Sequence, residues 1–452
     1  MPDRTRLPAV GADPTFSLPA FERTTLSDGV QVLAAGHQRA PVLTLFLLLP
    51  AGAAADPPHQ AGLAALTADL FDEGSAALSD VELHRALMRI GGRLGTEVWS
   101  DAAVVGLTTL SRHAREGLRL LFEIAARPRF DPGDVARVRD LRINRIRQLR
   151  RSAAAVAERV FAEALYGSHP YGHLAIGTET ALRALGPAEV ADFHRRRYLR
   201  PPWTVVAVGD LASEALLAEV ARAWDEGVLG DAGTPPDGLP EPPPLTRRMV
   251  FSAREGAVQS EIRLGHPGVP RTSPDFYALS VLNMVLGGQF VSRINLNLRE
   301  EKGYTYGART SFDWRVGRGP FCLQVGVQTA ATLDALREAV REIAEVRGPR
   351  PPSPRELETA RAALTRGFPR SFETAYQVAR AGMRIALHGL PDDHYARFVP
   401  RIMAVGADDV LRAAQRHLRP DELLAVVVGS RPDVLGDLAG LGFGDPVEWP
   451  AG

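Results

Sequence analysis

RRYLRPPWTVVAVGD, residues 196–210, returns later in the chain as RHLRPDELLAVVVGS, residues 416–430. Each stretch predicts the end of a helix, a turn at Leu-Arg-Pro and a buried strand that ends in Gly. Two more pairs of segments recur at nearly the same offset of roughly 215 to 220 residues, which is far longer than the units of about 20 to 50 residues found in solenoids. They are helical stretches at 113–126 and 332–346, and strand–helix units that begin at Leu43 and Ser260. The repeat therefore indicates a duplicated fold.

The segment between the two copies, residues 226–248, is dense in Pro and Gly and lacks apolar periodicity, so we interpret it as a linker. It divides the chain into an N-terminal half, residues 1–225, and a C-terminal half, residues 249–452. Within each half, groups of strands are separated by long helical stretches. This pattern predicts an α+β protein of two homologous halves, each with an antiparallel-rich sheet covered by helices.

Charge and hydropathy narrow the classes of function. The 452 residues include 53 basic and 53 acidic side chains, so no net charge draws the chain to nucleic acid or acidic membranes. The longest apolar run starts at Val42 and is far shorter than the roughly 20 residues of a membrane helix, so we predict a buried strand. No leader is visible, which favours the cytoplasm, or the periplasm if a leader has been removed. The single cysteine, Cys322, excludes an internal disulfide and is expected to be buried.

The order of these elements resembles the pitrilysin or insulinase family of zinc peptidases. It runs from a strand and a helix through a long helical hairpin and the loop HPYGHLAIGTETAL, residues 169–182, to a final helix and strand. The chain is most similar to half-size bacterial members that resemble mitochondrial processing peptidase subunits. The resemblance extends from residue 25 to Gly429, and its strongest local matches are the loop at 169–179 and NLREEKGYTYGA at 297–308.

The resemblance implies an inverted zinc motif, H-x-x-E-H, on the helix GLAALTADLFDEGS at 62–75. In such a motif both histidines bind the ion and the glutamate polarises its water. The positions of the first His, the Glu and the second His are taken by Ala65, Ala68 and Asp69. The third ligand, a Glu in active members, would fall between Ile143 and Ile146, where there is no acid. We therefore predict no zinc site, and a helix that packs as plain core or as chamber wall, with Leu63, Leu66 and Leu70 as its apolar face.

Two other clusters invite a functional interpretation. His169 and His173 are four residues apart, but Pro170 and Gly172 place them in a loop, so a structural role is favoured over metal binding. The helix at 135–151 has seven arginines opposed only by an aspartate. No aromatic residues are interspersed among the arginines, which argues against nucleic acid. The alternatives are a solvated helix face and a positively charged wall of a peptide chamber.

The family resemblance also implies an Arg and a Tyr, seven residues apart, that hydrogen-bond the scissile carbonyl. Their positions here are Arg299 and Tyr306. Gly303 is predicted to end the helix, which places Arg299 in its last turn and Tyr306 two residues into the next strand, both facing one cleft. Apart from the resemblance, a surface ion pair for Arg299 and a core position for Tyr306 would be the simpler interpretation.

These observations predict the non-catalytic subunit of a heterodimeric zinc metallopeptidase, inactive alone. The resemblance implies a homologous partner that carries H-x-x-E-H and the zinc, and an unfolded peptide as substrate. This chain would complete the chamber and supply the two donors, with no cofactor of its own and no nucleic-acid or membrane partner. A purely structural scaffold subunit, and a peptide-binding maturation factor for a particular precursor, remain as alternatives.

Overall fold

The computed structural model describes residues 18–225, 228–230, 238–430 and 441–450. The N-terminal half forms a six-stranded sheet in the order β1-β2-β6-β3-β5-β4, in which only β2 and β6 run parallel. Its strands are β1 Glu22–Thr25, β2 Gln31–Gly36, β3 Val42–Leu49, β4 Arg93–Val98, β5 Ala103–Leu110 and β6 Thr204–Gly209. The predicted buried strand at Val42 is confirmed as β3, next to the centre of the sheet.

The C-terminal half repeats this topology in the order β12-β7-β11-β8-β10-β9. Its strands are β7 Arg248–Ala253, β8 Gln259–Pro267, β9 Ala308–Phe312, β10 Pro320–Gln328, β11 Leu424–Gly429 and β12 Val447–Glu448. The two Leu-Arg-Pro stretches lead into β6 and β11, which occupy the same place in the two sheets. Only the outermost strand differs, because β1 is antiparallel to β2 whereas β12 is parallel to β7. The prediction of two homologous halves is confirmed.

Helices cover both sheets. The N-terminal half contributes α1 Leu63–Asp69, α2 Asp80–Arg89, α3 Ala114–Ala126, α4 Pro132–Leu149, α5 Ala153–Tyr166, α6 Glu179–Arg183, α7 Pro187–Phe193 and α8 Ser213–Ala223. The C-terminal half contributes α9 Phe276–Leu286, α10 Arg293–Asn295, α11 Thr332–Glu345, α12 Pro354–Arg366, α13 Ala375–Leu387, α14 Phe398–Ala404 and α15 Ala407–His417. No helix in the described ranges has the length and hydropathy needed to cross a membrane.

The outer face of each sheet is covered by a helix from the other half. Helix α13 packs on β3 and β6, and a Cβ added at Gly382 would lie only 2.8 Å from Val206 Cγ1. In the reverse direction α5 packs on β8 and β11, with the ring of Phe161 against Gly265. Because both faces of β3 are buried in this way, its sequence is apolar apart from Thr44 and does not alternate. The two halves therefore share their outer layers.

The linker predicted at 226–248 falls partly outside the described residues. In its described part, residues 238–247 form no helix or strand, and β7 begins at Arg248. Cys322 lies in β10, where burial raises the pKa of its thiol, and the prediction that it is buried is confirmed. The limits of the two halves along the chain stay a prediction.

Candidate functional site

Helix α1 is part of the hydrophobic core of the N-terminal half. Leu63, Leu66 and Leu70 are buried, as the spacing predicts, and Ala65 and Ala68 are buried beside them. At both alanine positions only a methyl group points into the interior. Neither can bind a metal ion or polarise a water molecule. Of the two roles that the sequence left open, core and chamber wall, the burial of α1 fits core.

The start of α1 is held by a buried carboxylate. Asp56 accepts hydrogen bonds from the backbone N–H groups of Gly62 and Ala64, both at 2.7 Å. His173 Nε2 donates toward the same carboxylate, 3.0 Å from Asp56 Oδ2, and lies equally close to a backbone carbonyl. These bonds satisfy N–H groups that a helix leaves unpaired at its first turn. His173 therefore helps to anchor α1.

The other residues of the HPYGH loop connect the two halves. His169 donates from Nε2 to the carbonyl of Pro240 at 2.8 Å, so the two histidines of the loop face different partners. The hydroxyl of Tyr171 donates to Asp101 Oδ1 at 2.5 Å and accepts from the backbone N–H of Gly317 at 2.9 Å. Burial raises the pKa of Asp101 despite these bonds. The loop has the structural role that the sequence favoured.

An ion pair occupies the position where the resemblance places a zinc ion. Arg142 of α4 donates from Nη1 to Asp69 Oδ2, and from Nη2 to the carbonyl of Ala175 at 2.7 Å. Its side chain is 11% exposed and that of Asp69 is 38% exposed. Ile143 and Ile146, at the position of the third ligand, are buried. A guanidinium thus bridges α1 and α4, and these residues do not fit a zinc ion.

A cleft of about 360 Å³ opens beside this ion pair and is lined in part by Asp72, Glu73, Thr96 and Arg145. Burial raises the pKa of both Asp72 and Glu73, although Arg137 partly opposes the shift at Glu73. Within the described residues, no group of three or more His, Cys, Asp or Glu side chains is arranged to hold a metal ion. The sequence did not single out Asp72, Glu73 or Arg142. The sequence did contain a signal for the ion pair: an acid, Asp69, at the second His position of the motif, and an arginine-rich helix later in the same half.

The arginines of α4 are used largely within the chain. Arg137 pairs with Glu73, while Arg147 and Arg150 both pair with Glu179 at 2.6 and 3.3 Å. Hydrogen bonds from Arg147 and, to a smaller extent, from Arg183 lower the pKa of the Glu179 carboxyl group to about 2. The alternative of a solvated helix face fits most of these arginines, since Arg137, Arg147 and Arg150 stay 40% to 50% exposed while they pair with acids of the N-terminal half. The charged chamber wall stays a prediction. The sequence pattern missed these partners because they lie outside the helix.

Arg299 lies in a π-helical segment, Leu296–Glu301, that continues α10. Gly303 follows with φ of 65°, which confirms the predicted left-handed end of the helix. The prediction that Tyr306 lies two residues into the next strand is wrong. Strand β9 begins only at Ala308, two residues after Tyr306. The Thr305 hydroxyl accepts the N–H of Gly307 at 3.1 Å and forms a local turn, which delays the strand.

The side chains of Arg299 and Tyr306 have different surroundings. Tyr306 is 93% exposed, and its hydroxyl forms no hydrogen bond to any part of the chain that the structure describes. The guanidinium of Arg299 lies 3.7 Å from the ring centre of Phe290 and 3.5 Å from a carboxylate oxygen of Glu300. Arg299 Nη1 is buried without a partner among the described residues. The simpler interpretation thus holds for the ion pair of Arg299 but not for Tyr306, which is outside the core.

Exposed apolar side chains lie near Arg299 along the chain. Phe290, Val291 and Leu296 are each about half exposed or more, although Phe290 also stacks on Arg299. A soluble chain rarely groups large apolar side chains on its surface unless they contact something. Phe290, Val291 and Leu296 therefore form an apolar surface patch beside Arg299.

Sequence comparison assigns both halves to one family. The family model described as insulinase (peptidase family M16) matches residues 31–179, and the model described as peptidase M16 inactive domain matches residues 184–364. A Bacillus subtilis protein named "Uncharacterized zinc protease YmxG" is 22% identical over 408 residues, which cover 90% of this chain and 98% of that protein. The "Non-peptidase homolog YmxG" of Helicobacter pylori is 20% identical, covering 89% and 92% of the two chains.

The fold is similar to that of solved family members. A crystal structure of a peptidase M16 inactive domain from Pseudomonas fluorescens superposes with a TM-score of 0.84, covering 91% of this chain and 98% of that one at 24% identity. The two family models match consecutive segments that span most of both halves. The duplicated fold, the two family models and these relatives agree, and the chain belongs to the insulinase family, peptidase family M16.

Proposed function

We propose that this chain is the non-catalytic subunit of a two-chain zinc metallopeptidase. A homologous partner with an H-x-x-E-H motif would hold the zinc ion, and this chain would complete the peptide-binding chamber and supply Arg299 and Tyr306 to the scissile carbonyl. The observation that carries the proposal is Tyr306, a phenol 93% exposed on an ordered backbone with its hydroxyl unused by the described chain. Such a group is available to a second molecule.

The backbone that carries Tyr306 is fixed on both sides. Thr305 donates to the carbonyl of Gly326 at 2.7 Å, which ties the turn to β10. On the other side, Asn295 of α10 accepts from the N–H of Ala308 and donates to its carbonyl, both at 2.8 Å. A donor held on a fixed backbone needs little reorganisation to stabilise a transition state. This rigidity favours a role for the hydroxyl outside the chain.

Arg299 offers the second donor. Its guanidinium is held by stacking on Phe290, while Nη1 has no acceptor in the described chain. Peptide hydrolysis passes through a tetrahedral oxyanion, and one donor aimed at such an oxyanion is worth about 3 to 4 kcal/mol. Two donors near each other along the chain are suited to this task. The apolar surface patch beside Arg299 would contact the partner or the peptide.

The closure of the zinc position supports the same division of labour. The Asp69–Arg142 ion pair, with alanines at the other two positions of the motif, leaves the motif without a group to activate water. A relative named as a non-peptidase homologue is similar over most of both chains. Catalysis by a complex containing this chain would therefore depend on metal and base from the partner.

The proposal is tested by mixing the purified chain with a homologous H-x-x-E-H chain from the same organism. Size-exclusion chromatography with light scattering should show a 1:1 complex. A stable complex of this kind is expected to bury more than about 1,000 Å² at its interface. Peptide cleavage should require both chains. Separate monomers at micromolar concentration, or full peptidase activity of the partner alone, would contradict the proposal.

A further inference from the structure

A second site lies away from the apolar surface patch, in a cavity of about 610 Å³ beside α13. The cavity is bounded by the segment after β8, the end of β9, α13 and the segment that leads into α14. Its volume is within the range of about 300 to 1,000 Å³ that holds small-molecule ligands. Nothing in the proposed peptidase function uses this cavity.

The cavity has an excess of positive charge. Of the ionised side chains that line it, Arg380 pairs with Glu97 at 2.6 Å and Asp313 pairs with Arg315 at 2.7 Å. Arg271 and Arg384 also line it, and neither forms an ion pair with a carboxylate in the described ranges. Burial lowers the pKa of Arg271 to about 10, and the nearby charge of Arg384 acts in the same direction. Two guanidiniums therefore share the cavity, and Asp313, the carboxylate in its lining, pairs with Arg315 and with neither of them.

The histidines of the cavity add no positive charge of their own. Arg271 Nη2 donates to His394 Nε2 at 2.7 Å, which requires that nitrogen to be unprotonated. Burial lowers the pKa of His394 and of His388 to about 4, so both are neutral at pH 7. His388 Nδ1 is buried and has no hydrogen-bond partner in the described chain. The cavity thus offers an unused polar atom beside two cations.

Aromatic rings form the walls. The guanidinium carbon of Arg271 lies 3.5 Å from the ring centre of Phe276. The ring of Phe276 packs edge-on against that of Trp314, with 4.8 Å between the ring centres. Phe368 and Phe398 stack at 4.4 Å on another wall. Flat apolar walls with a few convergent polar groups are typical of sites for small organic ligands. The backbone N–H of Arg271 is bonded to the carbonyl of Arg315, so the position of this arginine is fixed.

We propose that this cavity binds a small organic carboxylate with a flat apolar body. The carboxylate would lie between Arg271 and Arg384, where a guanidinium and a carboxylate form short, charge-assisted hydrogen bonds. The apolar body would lie against Phe276 and Trp314. The ligand would supply the negative charge that the described residues around the two arginines do not.

The test measures binding of the probe 2-naphthoate to the full-length chain by isothermal titration calorimetry. We expect saturable binding of 2-naphthoate, and binding of the uncharged 2-naphthamide that is weaker by about 10-fold or more. Inorganic phosphate, which lacks the apolar body, should also bind at least 10-fold more weakly. Equal affinity for naphthoate and naphthamide, equal affinity for phosphate, or no saturable binding of naphthoate at millimolar concentration would overturn the proposal.

Variants locate the site. Arg271→Gln and Arg384→Gln should each weaken naphthoate binding by about 10-fold or more, because each removes one charged donor. The matched control is Arg412→Gln, which removes the same charge from an exposed arginine on α15 paired with Asp409. Thermal unfolding confirms that each variant is folded, and the wild-type comparison of naphthoate with naphthamide does not depend on any variant. Unchanged binding in both cavity variants would also overturn the proposal.

Discussion

The ion pair at the position of the lost zinc ion makes a quantitative prediction about stability. Arg142→Met keeps most of the apolar stem and removes the guanidinium that joins α4 to Asp69 and to the carbonyl of Ala175. Asp69→Ala removes the other charge and leaves Arg142, only 11% exposed, without its carboxylate. Burying an unpaired charge costs more than exposing one to water. We therefore expect Asp69→Ala to destabilise the chain more than Arg142→Met.

The magnitude follows from the partial burial of the pair. A fully buried pair that loses one partner costs about 3 to 5 kcal/mol, and an exposed pair is worth about 0 to 1 kcal/mol. With one side chain nearly buried and the other 38% exposed, we expect about 1 to 2 kcal/mol for Arg142→Met and about 2 to 3 kcal/mol for Asp69→Ala. The double variant should lose less free energy of unfolding than the sum of the losses in the two single variants, and the difference, the coupling free energy, should be about 1 kcal/mol or more.

Urea unfolding followed by tryptophan fluorescence measures these differences. The matched control is Arg145→Met, which removes a charge from the same helix; its guanidinium hydrogen-bonds Gln148 and forms no ion pair within the described residues. It should change the free energy of unfolding by less than about 0.5 kcal/mol. If Arg142→Met is no more destabilising than this control, or if the effects of Asp69→Ala and Arg142→Met are additive, the ion pair does not hold α1 to α4.

Three further predictions follow from other parts of the chain. The purified chain alone should retain less than about 0.1 equivalent of zinc after a mild chelator and cleave no peptide; one tightly held equivalent by metal analysis would contradict the loss of the site. Buried His194, whose pKa burial lowers to about 4, should make the chain less stable as the pH falls from about 6.5 to 4, because the unfolded imidazole takes up a proton that the folded one does not. Urea unfolding at pH 7 and pH 5 should therefore differ more for wild type than for His194→Gln, and equal pH dependence would count against this assignment. Gly382→Ala should cost about 1 to 3 kcal/mol by pressing α13 against Phe21 and Val206, whereas Gly367→Ala, with nothing closer than 4.0 Å, should be nearly neutral; a neutral Gly382→Ala would show that α13 packs loosely.

Much of the fold was predictable from the sequence, because the apolar residues that a helix or strand buries recur at regular intervals along the chain. The Leu-Arg-Pro stretches gave β6 and β11, and the apolar spacing of Leu63, Leu66 and Leu70 gave the buried face of α1. The exchange of helices was not predictable. Helix α13 has an ordinary apolar face, and periodicity does not say whether that face packs on the sheet of its own half or on the other. That choice is made by long-range shape, such as the close approach at Gly382.

The site was predictable only in part, for a similar reason. The losses at Ala65, Ala68 and Asp69 are visible in one short motif, and Gly303 marks the end of the π-helical segment. The position of Tyr306 was predicted wrongly because the side chain of Thr305 forms a turn that strand propensity does not report. The partner of Asp69 lies on another helix, so nothing in the local sequence identified Arg142.

The central claim is that this chain supplies a donor to peptide hydrolysis on its partner's zinc ion. Tyr306→Phe removes only the exposed hydroxyl, and in the reconstituted complex it should lower kcat by about 10²-fold or more while leaving KM and complex formation nearly unchanged. Tyr304→Phe, two residues away and packed against the core of the C-terminal half, is the matched control and should stay within about twofold of wild type. If Tyr306→Phe also cleaves peptide within about twofold of the wild-type rate, the hydroxyl is not a donor and the chain acts only as a scaffold.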